Sequence, residues 1–212
     1  MTTLTILTGL SCTLKDSIAN VLEKDYNYIK FPDVNREYIN CLMDVAVEPS
    51  MVDVTGKIPN IMLVSNRLNI YRTFLNTVLK VSSDTNINFV MQRTILEHLF
   101  FPNEELLVMV DKQKLISAER EFLSRFNKVK LVLVENNNVE MLNKFYLTDD
   151  IRTSITKTDD KLEAYFRMQG PYKRFVSQLK EIDEEYQLVD EVNITSEKLT
   201  NITNNLVDSI RW

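Results

Sequence analysis

Cysteine, histidine, glycine and long apolar runs are all scarce in this sequence. Its 212 residues include two cysteines, one histidine and three glycines. Cys12 and Cys41 are too few for a disulfide framework, and no metal-ligand spacing is present. No apolar run approaches the roughly 18 residues that a membrane-spanning helix needs, so we expect no membrane partner.

A basic excess is also missing. The chain has 25 lysines and arginines against 30 aspartates and glutamates, a formal net charge of -5. This balance disfavours direct binding to nucleic acid, but it leaves room for a local basic cleft that binds a small phosphorylated ligand. The N-terminus lacks the basic segment and long apolar core of a secretory signal, so we expect a cytoplasmic protein.

What the sequence does have is a regular alternation of short apolar runs and longer helical patterns. Five runs are rich in β-branched or aromatic residues, as buried parallel strands are: "LTILT", "YIKF", "INFVM", "KLVLVE" and "YQLVD". Helical patterns lie between them, near residues 42–47, 60–81, 115–123 and 162–182. The alternation predicts an α/β fold with right-handed crossovers, in one domain over residues 1–212, and ligands at the carboxyl ends of the strands.

The stretch "TGLSCTLKDS" follows the first predicted strand and precedes a predicted helix. Gly9 and Lys15 have the spacing of a phosphate-binding P-loop, G-x-x-x-x-G-K-[ST], in which backbone N–H groups surround phosphates and the lysine neutralises them. Leu14 stands where the second glycine is expected. If that position requires a positive φ, the leucine there is strained by about 1 to 2 kcal/mol.

Asp16 replaces the Ser or Thr whose hydroxyl binds Mg²⁺ in a P-loop, and Ser17 follows it. A carboxylate is itself a ligand that Mg²⁺ accepts, although without metal it repels nucleotide phosphates. The alternative interpretation is an ordinary helix N-terminus, with Thr13 or Ser11 as the cap and Asp16 in the first turn. The ten residues alone do not decide between the two.

Three further motifs follow in order along the chain. They are Phe31-Pro32 after the second strand, Asn66-Arg67 in the long helix and Gln92-Arg93 at the end of the third strand. With the loop, this series resembles thymidylate kinase, a P-loop nucleoside monophosphate kinase, over nearly the whole chain. The resemblance implies a three-layer P-loop kinase fold, with a five-stranded parallel sheet flanked by helices and a lid-like segment at about 146–161.

The resemblance also implies roles for individual residues. Lys15 and Arg93 would be catalytic, with Lys15 on the donor phosphates and Arg67 and Arg93 on the acceptor phosphate, and Arg36 would assist them. The implied phosphate-binding and nucleotide-binding set is Gly9, Thr13, Lys15, Asp16, Ser17, Arg36, Arg67 and Arg93, with Arg152 and Lys157 as lid cations. ATP and Mg²⁺ would be the cofactors, with Asp16 as the metal ligand, and the long helix at 60–81 would form a homodimer.

The sequence departs from the family pattern at several positions. Thr8 and Ser11 replace the two carboxylates of the family's loop, Gln92 replaces the aspartate before the arginine, and Leu63 replaces a base-stacking phenylalanine. Three functions stay open: phosphate transfer from ATP to a deoxynucleoside monophosphate such as dTMP, an inactive kinase-like subunit with an unknown protein partner, or an unrelated α/β interaction protein.

Overall fold

The structure is a computed structural model that describes most of the chain, in two compact units. It describes residues 1–10, 13–32, 60–83, 86–94, 96–97, 112–142, 161–182, 188–194, 201 and 204. The first unit comprises Met1–Lys30, Asn86–Arg93 and Phe126–Trp212, and the second comprises Phe31–Thr85 and Thr94–Arg125. The single domain over 1–212 stays a prediction, because two compact units can belong to one domain.

A parallel sheet forms the centre of the first unit. Its strands are β1 (Thr2–Thr8), β2 (Ile29–Lys30), β3 (Ile87–Gln92), β4 (Lys128–Asn136) and β5 (Leu188–Ile194). They are ordered β2-β3-β1-β4-β5, and β1 runs parallel to both its neighbours, with Leu7 beside Gln92 and Val132. The carboxyl ends of β1, β3 and β4 therefore lie at one edge of the sheet.

The second strand is much shorter than the sequence analysis predicts. Four strands have six to nine residues, whereas β2 has only two and pairs only with β3. β2 is an edge strand, and Pro32 follows it closely without a backbone N–H to donate to a ladder. A parallel sheet flanked by helices is confirmed, but of the five expected strands the second is only the two-residue edge segment β2, which leaves four longer strands.

Two helices, α1 (Lys15–Tyr26) and α4 (Lys161–Ile182), pack on the sheet. Leu7 belongs to a buried cluster with Ile18 and Leu22 of α1, whereas the next residue, Thr8, is hydrogen-bonded to Tyr172 of α4. Successive residues of a strand point to opposite faces, so α1 and α4 cover opposite faces. The first unit is therefore a layered helix-sheet-helix structure.

The second unit contains α2 (Asn60–Val81) and α3 (Lys112–Leu123). The bounds of α2 are those predicted from the sequence, whereas the short helix expected at 42–47 lies outside the described residues. Phe31 and Phe122 pack on Tyr71 of α2, and Arg72 forms a salt bridge with Glu121 of α3. None of the helices in the described part of the chain has the length and apolar content to cross a membrane.

Candidate functional site

Gly9 begins the loop between β1 and α1, and the structure leaves no room for a side chain at this position. Its φ of 152° lies in a region that L side chains rarely adopt. A Cβ at this position would be 2.2 Å from the backbone oxygen of Val134 in β4 and 3.0 Å from Oγ1 of Thr13. The glycine is required because the end of β4 approaches the loop so closely.

The ammonium group of Lys15 lies within the loop that precedes it. Its Nζ donates to the carbonyl oxygens of Gly9 at 2.8 Å and Leu10 at 2.6 Å, and to Oγ1 of Thr13 at 2.9 Å. These three acceptors match the three N–H donors of a lysine. The side chain is only 6% exposed, so the loop holds a buried positive charge where β1 ends and α1 begins.

Leu14 has the left-handed conformation that its motif position suggests, with φ of 61° and ψ of 19°. The strain of about 1 to 2 kcal/mol is compensated because the Leu14 side chain packs against the apolar cluster beneath α1. Leu14 is also the N-cap residue of α1, without a side-chain cap hydrogen bond. The alternative with Thr13 as the cap is therefore wrong: its hydroxyl donates to the carbonyl of Leu10 and accepts from Lys15. Ser11 lies outside the described residues.

Asp16 and Gln92 are hydrogen-bonded to each other at the mouth of this loop. The side-chain amide of Gln92, at the end of β3, donates to Oδ1 of Asp16, which is exposed in the first turn of α1. A carboxylate at this place is favourable for the helix dipole. In the pattern described in the sequence analysis, the aspartate precedes the arginine at the end of the third strand. Here that position is the neutral Gln92, and the carboxylate is Asp16 on α1. Ser17 follows on the same turn and is half-buried.

Arg93 directly follows β3 and has a left-handed backbone, with φ of 66°. Its N–H donates to the carbonyl of Leu7 at 2.8 Å, so its backbone lies at the same sheet edge as the loop. Non-glycine residues with positive φ are uncommon and concentrate at functional sites. Its predicted role on an acceptor phosphate stays a prediction.

Arg67 belongs to the second unit, whereas Lys15 and Arg93 belong to the first. Its Nε donates to the hydroxyl of Tyr71 at 2.9 Å, and its guanidinium carbon lies 5.6 Å from the centre of that ring. The i, i+4 pair orients the arginine along α2. Convergence of Lys15, Arg67 and Arg93 on one cleft stays a prediction.

Three other predicted cations, Arg36, Arg152 and Lys157, lie outside the described residues, as do Cys12 and the side chain of Leu63. The sequence analysis missed Tyr172, whose hydroxyl accepts a hydrogen bond from the N–H of Gly9 at 3.0 Å. Nothing in the sequence distinguishes this tyrosine from the other aromatic residues of the same amphipathic helix. Its partner lies 163 positions earlier in the chain.

The Asp16 carboxylate and a small cavity lie beside the described part of the loop. Within the part of the chain that the structure describes, no group of three or more His, Cys, Asp or Glu side chains is assembled. One carboxylate, that of Asp16, is still compatible with Mg²⁺, which often takes one or two carboxylates and completes its shell with phosphates and water. Between the loop and α4 there is a cavity of about 10 Å³, lined by Leu10, Thr13 and Tyr172 among others, which holds one water at most.

Comparison with solved structures shows similarity over nearly the full length of the chain. Thymidylate kinase from Ehrlichia chaffeensis superposes with a TM-score of 0.54 at 8% identity, covering 99% of both chains. Thymidylate kinase from Candida albicans gives 0.50 at 15% identity, covering 98% of this chain and 90% of that one. Deoxyadenosine kinase from M. mycoides, solved with dCMP and dCDP, gives 0.52 at 12% identity and 98% coverage of both chains.

No protein-family model and no curated protein sequence matches the chain. The similarity therefore lies in the fold. A sequence identity this low does not show which substrate the chain uses. The three structural neighbours are P-loop kinases. In this chain, Gly9 and Lys15 lie between the first strand and the first helix, the place that a P-loop motif takes in a sequence. The chain has the fold of a P-loop nucleotide kinase.

Proposed function

We propose that this chain binds nucleotides through the loop between β1 and α1 and transfers phosphate from ATP to a deoxynucleoside monophosphate such as dTMP. The observation that carries the proposal is the position of the Lys15 ammonium. It is buried in the loop, at the carboxyl edge of the parallel sheet where ligands of such folds bind. The thymidylate and deoxyadenosine kinase folds of the structural neighbours support this choice of substrate class.

The residues of the loop have distinct parts in this proposal. Phosphoryl transfer needs positioning and neutralisation of charge more than it needs covalent chemistry. Lys15 supplies the cation. Its ammonium is bonded to three oxygens of the loop, all within 2.9 Å, and a bound nucleotide would replace these oxygens with phosphate oxygens. Arg93, at the same sheet edge, is the cation we assign to the acceptor phosphate.

Mg²⁺ is the cofactor that this site would use together with ATP. Bound to the nucleotide, it would neutralise the charge on the β and γ phosphates. Asp16 is the residue that would hold it, because its carboxylate is exposed and fixed at the start of α1 by Gln92. The same carboxylate repels the phosphates when metal is absent, so we expect metal-free nucleotide binding to be weak.

A second function, nucleotide binding without turnover in a kinase-like subunit, is favoured by one observation. The charge of Lys15 is already satisfied by three acceptors of its own loop, and phosphate must displace them. Hydrogen bonds to a charged group contribute about 1.5 to 3 kcal/mol each, so the exchange gains little for the nucleotide. Phosphoryl transfer depends on neutralisation of charge, so a lysine that stays bonded to its own loop weakens catalysis more than it weakens binding.

A coupled ADP-release assay against the common deoxynucleoside monophosphates tests the proposal. We expect turnover with at least one acceptor in the presence of Mg²⁺. Lys15→Ala should lower it by about 100-fold or more, because the variant removes a cation that stabilises the transferring group. The matched control is Lys24→Ala, which removes an exposed lysine from the last turn of the same helix and should leave turnover unchanged.

The outcomes separate the two functions. ATP binding by calorimetry without turnover on any acceptor would replace the kinase by the nucleotide-binding subunit. Equal turnover in wild type and Lys15→Ala would show that the activity does not use this loop. Absence of both binding and turnover would contradict the proposal as a whole.

A further inference from the structure

Helix α4 is hydrogen-bonded to the start of the loop through the buried hydroxyl of Tyr172. Tyr172 is 2% exposed, and its hydroxyl oxygen accepts from the N–H of Gly9 at 3.0 Å. The same oxygen lies 2.6 Å from Oγ1 of Thr8, the last residue of β1. Tyr172 therefore contacts both the backbone and a side chain at the point where the loop leaves the sheet.

Two other side chains on the same face of α4 fix the helix to the neighbouring strand. Tyr165, which forms an i, i+4 pair with Gln169, accepts a hydrogen bond at its hydroxyl from the N–H of Asn136 at 3.3 Å. The amide of Gln169 donates to the carbonyl of Asn136 at 3.3 Å and to Oδ1 of Asn137 at 2.9 Å. With Tyr172, these contacts connect α4 to the carboxyl ends of both β1 and β4.

Gly9 is hydrogen-bonded to both Tyr172 and Lys15. Its N–H donates to the tyrosine hydroxyl, and its carbonyl accepts from the lysine ammonium at 2.8 Å. The residue has little freedom to adjust, because its α-carbon is so close to the oxygen of Val134 that even a methyl group would clash. The same residue therefore connects the tyrosine hydroxyl to the carbonyl that accepts from Lys15.

We propose that Tyr172 is a positioning residue that fixes Gly9, and through it Lys15, so that helix α4 controls the conformation of the phosphate loop. The effect on nucleotide affinity rests on the proposed function, whereas the effect on the loop itself does not. Coupling of this kind is reciprocal. A nucleotide that draws Lys15 away from the Gly9 carbonyl also changes the hydrogen bond between Gly9 and Tyr172.

The amide of Gly9 reports this coupling directly. The chain has only three glycines, so selective ¹⁵N-glycine labelling gives three backbone amide signals, which Gly170→Ala and Gly56→Ala assign by elimination. In Tyr172→Phe the Gly9 amide loses its acceptor, and we expect its hydrogen exchange to accelerate about fivefold to tenfold relative to Gly170 in the same variant. Referring the rate to Gly170, which lies in α4 itself, removes any acceleration that comes from opening of this helix.

Tyr165→Phe is the matched control, because it removes a buried hydroxyl that also accepts a backbone N–H, but at Asn136. We expect unchanged exchange at Gly9 in this variant. In titration calorimetry, ATP affinity should fall about threefold to tenfold in Tyr172→Phe and stay at the wild-type value in Tyr165→Phe.

The results distinguish failure of this inference from failure of the proposed function. Unchanged Gly9 exchange in Tyr172→Phe, or equal acceleration in Tyr165→Phe, overturns the inference while leaving nucleotide binding intact. Accelerated exchange with wild-type ATP affinity overturns the control of binding by α4. Accelerated exchange in a protein whose wild type binds no ATP supports the structural coupling and overturns the proposed function alone.

Discussion

Gly9 is the residue at which a single methyl group should do most harm. We expect Gly9→Ala to lower the free energy of unfolding by about 2 to 4 kcal/mol, because the new Cβ meets a backbone oxygen at 2.2 Å in a conformation that L residues rarely adopt. Urea unfolding followed by circular dichroism measures the change. Gly170→Ala is the matched control, since a Cβ there meets only Nη1 of Arg174, at 3.8 Å.

Gly170 lies inside α4, where alanine is favoured over glycine by roughly 0.5 to 1 kcal/mol. We therefore expect Gly170→Ala to be neutral or stabilising. Equal stability of the two alanine variants would mean that Gly9 is not held against β4 as described.

For these individual residues, the sequence predicts where Gly9, Leu14 and Lys15 lie in the loop but not which atoms they contact. The motif spacing indicates the left-handed conformation at Leu14, because a glycine is expected there. It gives no indication that Lys15 bonds to its own loop, or that Tyr172 reaches Thr8 from 164 positions away. Such contacts depend on how strand ends and helices are placed in three dimensions, which local patterns do not encode.

The N-terminus of α1 combines a stabilising charge with a repulsive one. Asp16 lies in the first turn, where a carboxylate contributes about 0.3 to 1 kcal/mol to the helix. In Asp16→Ser we expect a loss of stability of that size, together with metal-free ATP affinity that rises about threefold to tenfold as repulsion of the phosphates is removed. With Mg²⁺ present, the variant should lose this advantage because it lacks the metal ligand. Titration calorimetry with and without Mg²⁺ measures the two ATP affinities, and urea unfolding measures the loss of stability.

Asp25→Ser provides the control for Asp16→Ser, because it removes an exposed carboxylate from the other end of the same helix. ATP affinity should not change in this variant. If Asp16→Ser also leaves metal-free affinity unchanged, the Asp16 carboxylate does not face bound phosphates.

The elements themselves follow closely from their patterns, with one exception. Long amphipathic stretches predict α2 and α4 well because several turns share one buried face, and the bounds of α2 match the predicted 60–81. The run "YIKF" has the composition of a strand, yet only Ile29 and Lys30 pair. Composition does not show that a segment will be an edge strand. Here Pro32, two residues after β2, cannot donate a backbone hydrogen bond and so limits the length of the strand.

The oligomeric state is the property of the whole molecule that the sequence analysis addresses. It predicts a homodimer through α2, which stays a prediction. Between Arg67 and Val81 the exposed positions of this helix are mainly polar, including Asn69, Thr73, Asn76 and Lys80, so an interface there would be largely hydrophilic. We expect light scattering at micromolar concentration to give twice the chain mass of 24.8 kDa. A single-chain mass would contradict the dimer.

The position of β1 at the centre of the sheet also affects how the chain is made. Among the five strands described it is synthesised before the other four, but its neighbours are β3 and β4, and β4 begins only at Lys128. At a synthesis rate of about 5 to 20 residues per second, the roughly 120 residues after Thr8 take about 6 to 24 seconds. During that interval an apolar strand has an unpaired side, so the nascent chain needs protection from aggregation before its sheet can close around β1.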